Sequence, residues 1–145
     1  MKTDNLKVIE LDNSAISEIV LLTKHLNPEL SQSLLTNRQL EMFSYHNHKC
    51  FGLYLAEKLI GVSSGWLTTR LYSGKQLEID NFIINPKLQS KGYGAFFLKA
   101  IEKWSLENNC LTVELNTYIR NERSHSFYTS LGYIKLGYHF QKKID

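Results

Sequence analysis

The sequence is poor in proline, cysteine and long apolar runs, and its charge is nearly balanced. Two prolines and eight glycines in 145 residues exclude collagen-like and low-complexity chains. No run approaches the roughly 18 apolar residues that a membrane-spanning helix requires. Seventeen Lys and Arg against 14 Asp and Glu leave a net charge of +3, too little and too dispersed for a nucleic-acid-binding surface. We therefore expect neither a membrane nor a nucleic acid as partner, while a small anionic ligand remains compatible with the charge.

The two cysteines and the first residues bear on the cellular compartment. Cys50 and Cys110 are far apart, and residues 1–5 have no apolar stretch of the kind found in secretory signals. We expect two buried free thiols and a cytoplasmic protein. The length suits one compact core, so residues 1–145 are predicted to form a single domain.

The hydrophobic period divides the chain into helical and extended segments. A 3.6-residue period indicates a helix over about 14–26 with Ser14 as N-cap, a second helix starting at Asn27-Pro28, and further helical turns over 38–45. The other predicted helices are 92–108 and 121–131, and the predicted strands are 7–11, 51–55, 59–71, 76–85, 111–115, 133–136 and 138–142. The fold class is mixed α/β, with helices on the faces of a mixed sheet.

A glycine-bearing segment between a strand and a helix is the most informative stretch. Residues 83–95 read IINPKLQSKGYGA, which places Gly92 and Gly94 at the start of the predicted helix. Backbone N–H groups there can converge at the positive end of the helix dipole, which suits a pyrophosphate. The alternative is that the two glycines only make a tight turn.

Two familiar phosphate-binding loops are excluded by the residues that follow. A P-loop would need Lys and Ser/Thr after its glycine, whereas Ala95 and Phe96 follow Gly94. A Rossmann fingerprint needs a small residue where Phe97 stands. Nucleotide hydrolysis and hydride transfer therefore lose most of their support.

The segment Gln89-Ser90-Lys91-Gly92-Tyr93-Gly94 resembles the pyrophosphate loop Gln/Arg-x-x-Gly-x-Gly/Ala of the GNAT superfamily of acyl-CoA-dependent N-acetyltransferases. A second match is Asn121, then Phe127-Tyr128, then Gly132-Tyr133, with Ser124 where the family has alanine. The resemblance covers essentially the whole chain. It implies a mostly antiparallel sheet of about six to seven strands with about four helices, and splayed strands that form the cofactor cleft.

The resemblance implies acetyl-CoA as co-substrate and assigns residues to it. The pantetheine arm would bond to the backbone of Phe82, Ile83 and Ile84, and the pyrophosphate would lie on the amides of residues 89–95. The full set implied to contact the cofactor is Phe82, Ile83, Ile84, Gln89, Ser90, Lys91, Gly92, Tyr93, Gly94, Ala95, Asn116, Asn121, Phe127 and Tyr128.

Acetyl transfer to an amine needs a base for the amine and a proton for the departing thiolate. Glu78 lies where family members that use a carboxylate base carry it, and Asp80 shares its strand face. Either could act, directly or through water, or could only solvate or dock the substrate. Tyr128 is the candidate general acid, with packing on the core as its alternative role. A main-chain N–H within Phe82–Ile84 would polarise the carbonyl.

Other features carry less weight, and the acceptor stays open. His46, His48 and Cys50 are metal-ligating types, but no second cluster completes a site, so no metal is expected. Tyr45, Trp66 and Tyr72 could shape the acceptor pocket. The predicted activity is acetylation of a small-molecule, peptide or protein primary amine through a ternary complex; the alternative is a non-catalytic CoA-binding regulatory module. A homodimer through the last strands is compatible with the sequence.

Overall fold

The computed structural model describes residues 2–145 and contains five strands and four α-helices. The strands are β1 (Leu6–Glu10), β2 (His48–Leu55), β3 (Lys58–Arg70), β4 (Gly74–Ile84) and β5 (Thr112–Leu115). The helices are α1 (Ile16–Thr23), α2 (Gln32–Ser44), α3 (Tyr93–Glu107) and α4 (Glu122–Ser130), with short 3₁₀ turns at Asn13–Ala15 and Pro86–Leu88. The predicted mixed α/β class is confirmed.

One open sheet holds all five strands in the order β1-β2-β3-β4-β5. The pairs β1–β2, β2–β3 and β3–β4 are antiparallel, as the alternating pattern of the middle of the chain predicts. β5 lies beside β4, and its start is set by the bond from the Leu111 N–H to the Lys75 carbonyl, at 2.7 Å.

The first two helices start at other residues than those predicted. Asp12, not Ser14, is the cap: its carboxylate accepts from the Ser14 N–H at 2.9 Å and begins the 3₁₀ turn that precedes α1. Asn27-Pro28 does not start a helix, since α2 begins after Ser31, whose hydroxyl accepts from the Leu34 N–H. A side-chain oxygen that accepts from an unbonded N–H three residues on stabilises a helix start by about 1 kcal/mol.

The chain divides into two compact units, residues up to Glu114 and residues from Leu115 onward. In the first unit, α1 and α2 cover one sheet face through a cluster of Ile19, Leu22, Cys50, Leu59, Val62 and Ile83, against which Phe43 of α2 packs. α3 covers the other face, where Phe97 stacks on Phe82 and Trp104 meets Phe51 edge-on. The two faces of β4 therefore look toward different helices.

The predicted strands 133–136 and 138–142 are not formed, so the sheet has five strands rather than six or seven. Ile134, Leu136 and Tyr138 have the right alternation, but residues 134–145 are all exposed. A period of two produces a strand only where the backbone N–H and C=O groups meet a partner strand.

Candidate active site

The loop between β4 and α3 leads into a helix whose N-cap residue is a glycine. Ser90 and Gly92 both have positive φ, 65° and 87°, and Gly92 is the N-cap residue. The first α-helical bond runs from the Phe96 N–H to the Gly92 carbonyl, at 3.2 Å. Gly92 has no side chain, so the N-cap residue itself makes no side-chain capping bond. The N–H groups of Tyr93, Gly94 and Ala95 precede that of Phe96 and therefore have no partner within the helix, and they lie at its positive end, where an anion is favoured.

Two side-chain amides fix the loop to the end of β4. The Asn85 side-chain oxygen accepts from the Lys87 N–H at 3.1 Å, and the Gln89 side chain donates to the Ile84 carbonyl at 3.2 Å. Gln89, the first residue of the pyrophosphate motif, thus anchors the loop through its side chain.

A β-bulge interrupts β4 just before this loop. Between the pairs Val62–Ile83 and Ser64–Asp80, the single residue Ser63 of β3 faces two residues of β4, of which Asn81 has φ of 56°. Bulges bend a strand and redirect its side chains, and they are common beside active sites.

The two candidate bases lie on the sheet face that α1 and α2 cover. Glu78 is directly opposite Trp66, and Asp80 is opposite Ser64, so the expected shared face is present. Glu78 lies 3.5 Å from the Arg70 guanidinium, and Asp80 accepts from the Trp66 indole N–H, also at 3.5 Å. Both contacts are long and partly solvated, which makes them weak.

An aromatic group adjoins these carboxylates. The Trp66 ring is 4.9 Å from the ring of His48 and 6.0 Å from that of Tyr45, and His48 also meets Phe43 edge-on at 5.3 Å. Burial, and secondarily the charge of Lys49, lowers the pKa of His48 to about 4. The imidazole is therefore neutral at physiological pH.

The second unit holds the other matched motif. The Asn121 side chain accepts from the Ser124 N–H at 3.1 Å, which confirms it as the cap of α4. Gly132, at φ of 94°, ends the helix together with the bond from the Tyr133 N–H to the Tyr128 carbonyl. The Tyr128 ring meets those of Phe127 and Tyr133 at 5.1 and 5.7 Å, and burial raises the pKa of Tyr128 to about 12. Asn116 is exposed, just after β5.

Several other residues considered in the sequence take separate places. Tyr72 donates to Glu114 at 2.6 Å and does not join the aromatic group of Tyr45 and Trp66. Both cysteines are buried free thiols, and burial raises the pKa of Cys50 to about 12. Within residues 2–145 no three metal-ligating side chains form a cluster, and no helix is long and apolar enough to span a membrane.

Sequence reasoning missed the polar residues that share a face with Glu78. Ser64, Thr68 and Arg70 carry no motif, and His48 is the buried first residue of β2 rather than part of a loop. His48 and Cys50 are two residues apart and both buried, so this spacing could have extended the predicted strand back from Phe51 to His48. Which β3 residues lie opposite Glu78 and Asp80 depends on the register and on the bulge.

Comparison with known proteins identifies the family. A family model described as the acetyltransferase (GNAT) family matches residues 17–133. The chain belongs to this family. A search of curated proteins gives no match.

Solved structures with the GNAT fold superpose closely on this GNAT chain. A possible acetyltransferase from Clostridium difficile 630 has a TM-score of 0.84 at 15% identity, covering 98% of this chain and 99% of that one. The aminoglycoside N-acetyltransferase AAC(6′)-Iy with CoA gives 0.83 at 13%, covering 96% and 94%. An aminoglycoside acetyltransferase from an uncultured soil metagenomic sample with sisomicin gives 0.82 at 15%, covering 99% and 100%. At these identities the likeness shows the fold.

Proposed function

We propose that this GNAT protein transfers the acetyl group of acetyl-CoA to a primary amine by direct attack in a ternary complex. The observation that carries the proposal is the N-terminus of α3, with Ser90 and Gly92 at positive φ and a glycine as the N-cap residue. N–H groups in this arrangement bind phosphate oxygens well. Under this proposal, residues 1–145 act as one catalytic domain.

The other proposed cofactor contacts come from the end of β4 and from residues after Glu114. The backbone of Phe82, Ile83 and Ile84 would hold the pantetheine arm. The start of β5 lies beside Lys75, and its four residues span only about 13 Å, too little to reach Ile83 along β4. The bulge before Ile83 adds a bend at this point. Asn116, Asn121 and Phe127 complete the proposed set of contacts.

Starting from the ammonium form of the acceptor, two protons must leave the nitrogen and one must reach the sulfur, so that one proton is released overall. Glu78 or Asp80, directly or through water, takes the proton from the ammonium, and the amine nitrogen then attacks the thioester carbonyl carbon. A main-chain N–H of residues 82–84 donates to the carbonyl oxygen as it gains charge. The C–N bond forms first and gives a tetrahedral intermediate. As the C–S bond then breaks, Tyr128 gives its proton to the departing thiolate, and the second proton of the nitrogen passes through water to restore the phenol. Its pKa of about 12 keeps the phenol protonated in neutral solution.

A thermal-shift panel tests the proposal directly. CoA and acetyl-CoA at about 100 times their Kd should add about 2.7 kcal/mol to the free energy of unfolding. ATP and NADH, at the same concentration, should leave the melting temperature unchanged. Equal shifts with all four ligands, or none with CoA, would remove the acyl-CoA assignment.

The alternative function, a non-catalytic CoA-binding regulatory module of the same fold, gives a different result in an activity assay. It binds CoA but releases no CoA thiol from acetyl-CoA in the presence of any amine. A thiol-release assay over small amines, peptides and protein N-termini separates the two functions, and it also identifies the acceptor class.

A further inference from the structure

Four of the five buried polar atoms without a hydrogen-bond partner in the described chain belong to residues beside Trp66 in the sheet. The five are Gln39 Nε2, both ring nitrogens of His48, Ser64 Oγ and Thr68 Oγ1. Buried polar groups in native proteins nearly always have a partner, because each one left unpaired costs about 1–3 kcal/mol. Atoms of this kind gain free energy from a polar ligand or an ordered water that reaches them.

The register of the sheet explains the grouping. His48 of β2 is directly opposite Trp66 of β3, and their rings are in contact. Ser64 and Thr68 lie two residues before and two residues after Trp66, so all three project from the same face. His48 is only 7% exposed, and Ser64 is fully buried.

Helix α2 supplies the remaining group. Gln39 is 5% exposed and lies one turn before Phe43, whose ring meets that of His48 at 5.3 Å. The four residues Gln39, His48, Ser64 and Thr68 are called the polar floor below.

The polar floor adjoins the two candidate bases. Glu78 is opposite Trp66 on the strand side away from His48, and Asp80 is opposite Ser64. Tyr45, half exposed, and Trp66, partly buried, stand beside this floor. An amine held by the carboxylates would therefore have its remaining atoms over Trp66 and the polar floor.

Resting on the proposed acetyl transfer, we infer that the acceptor is a polyhydroxylated primary amine whose hydroxyl groups bond to the polar floor. Hydroxyls match this floor because they both donate and accept. Neutral His48 offers one donor and one acceptor, Ser64 and Thr68 offer both, and the orphan atom of Gln39 only donates. An alkyl amine would leave these groups unpaired, and polar sites reject such analogues strongly. The floor atoms are closed to solvent in this structure, so binding requires the neighbouring side chains of Tyr45 and Trp66 to shift.

Trp66 fluorescence tests this inference without relying on catalysis. The chain has two tryptophans, and Trp104 lies on the opposite sheet face against Phe51. In a Trp104→Phe background, glucamine should change the emission of Trp66 with saturation. Hexylamine, an equally long primary amine without hydroxyls, should bind about tenfold more weakly or not at all. A Trp66→Phe protein, with only Trp104, should show no change with either amine.

Two variants address the floor itself. His48→Leu and Thr68→Val should each weaken glucamine binding about fivefold or more and leave hexylamine binding unaltered. Thr68→Val keeps nearly the same side-chain shape and removes only the hydroxyl group. It therefore tests the polar floor even if His48→Leu fails to fold. Equal affinity for the two amines, an unresponsive Trp66, or floor variants that bind glucamine as the parent does would each overturn the inference.

The failure of this inference is distinguishable from failure of the proposed function. CoA binding is measured on the same Trp104→Phe protein by thermal shift. A CoA shift without a glucamine response overturns the inference alone, while a glucamine response without a CoA shift overturns the acetyl-CoA assignment and leaves the amine site.

Discussion

At the residue scale, burial shifts the pKa of Tyr128 and of His48 in opposite directions, and in both cases it keeps the neutral form. The pKa of Tyr128 rises to about 12, and that of His48 falls to about 4. An apolar environment penalises whichever form is charged, the phenolate in one residue and the imidazolium in the other. Tyr128 thereby keeps the proton that a general acid must give, and His48 keeps a lone pair that can accept a hydrogen bond.

Tyr128→Phe should lower kcat by about 100-fold or more, because general acid catalysis contributes about that much. The Kd for CoA should hold within about twofold, since the ring and its packing are retained. Steady-state kinetics and calorimetric CoA binding are the measurements. Tyr133→Phe is the matched control, as it removes a hydroxyl from the ring that contacts Tyr128 at 5.7 Å. Unchanged turnover in Tyr128→Phe would remove the acid role.

His48 should make the protein less stable in acid. Its folded pKa of about 4 lies below the ordinary 6.5, so between these values the unfolded chain binds the extra proton. The stability is complete above 6.5 and is lost as the pH falls toward 4. From about pH 7.5 to about pH 5 the loss due to His48 should be about 2 kcal/mol. Urea unfolding of the parent and of His48→Leu measures it as the difference between their pH dependences; equal dependences would contradict the burial argument.

At the element scale, strand and helix signals with local causes are readable from the sequence, and those with distant causes are not. β2, β3 and β4 alternate, α3 has a continuous apolar stripe, and Asn121 caps α4 as expected. The start of α2 depends on which of two candidate residues caps the helix. Whether residues 133–142 form strands depends on a partner strand elsewhere in the chain. The same holds for the candidate site: Glu78 and the Gln89–Gly94 motif are candidates from the sequence alone, whereas the polar floor required the register and the bulge at Asn81.

The N-terminus of α3 gives a prediction in which stability and binding move in opposite directions. Gly94→Asp places a carboxylate in the first turn, where it interacts favourably with the helix dipole and should add up to about 1 kcal/mol to stability. The same carboxylate repels a pyrophosphate and should weaken CoA binding about tenfold or more. Gly94→Asn has the same shape without the charge and is the control.

Calorimetric Kd values and urea midpoints for the two Gly94 variants decide the point. If the negative charge is the cause of the weaker CoA binding, Gly94→Asp weakens that binding much more than Gly94→Asn does. Matching losses in the two variants would mean that the added side chain, rather than its charge, blocks the amides, and unaltered CoA binding in both would place the pyrophosphate elsewhere.

At the scale of the whole molecule, the net charge of +3 is small but has the sign that favours an anionic cofactor. Lys87 and Lys91, both exposed, lie in the loop between β4 and α3. Exposed charges act over a Debye length of about 10 Å at about 0.1 M salt, whereas backbone N–H groups that touch a phosphate are screened much less. The two contributions to CoA binding should therefore separate in a salt titration.

Raising NaCl from about 0.05 to about 0.5 M should weaken CoA binding severalfold and then level off, because the amide contacts of α3 persist after the lysines are screened. Lys91→Gln should flatten the salt dependence and lower the low-salt affinity, while converging with the parent at high salt. Lys103→Gln, on the far part of the same helix, is the matched charge control and should follow the parent curve. Isothermal titration at four salt concentrations measures all three. A decline that continues without levelling would mean that side-chain charge, and not the helix N-terminus, holds the diphosphate.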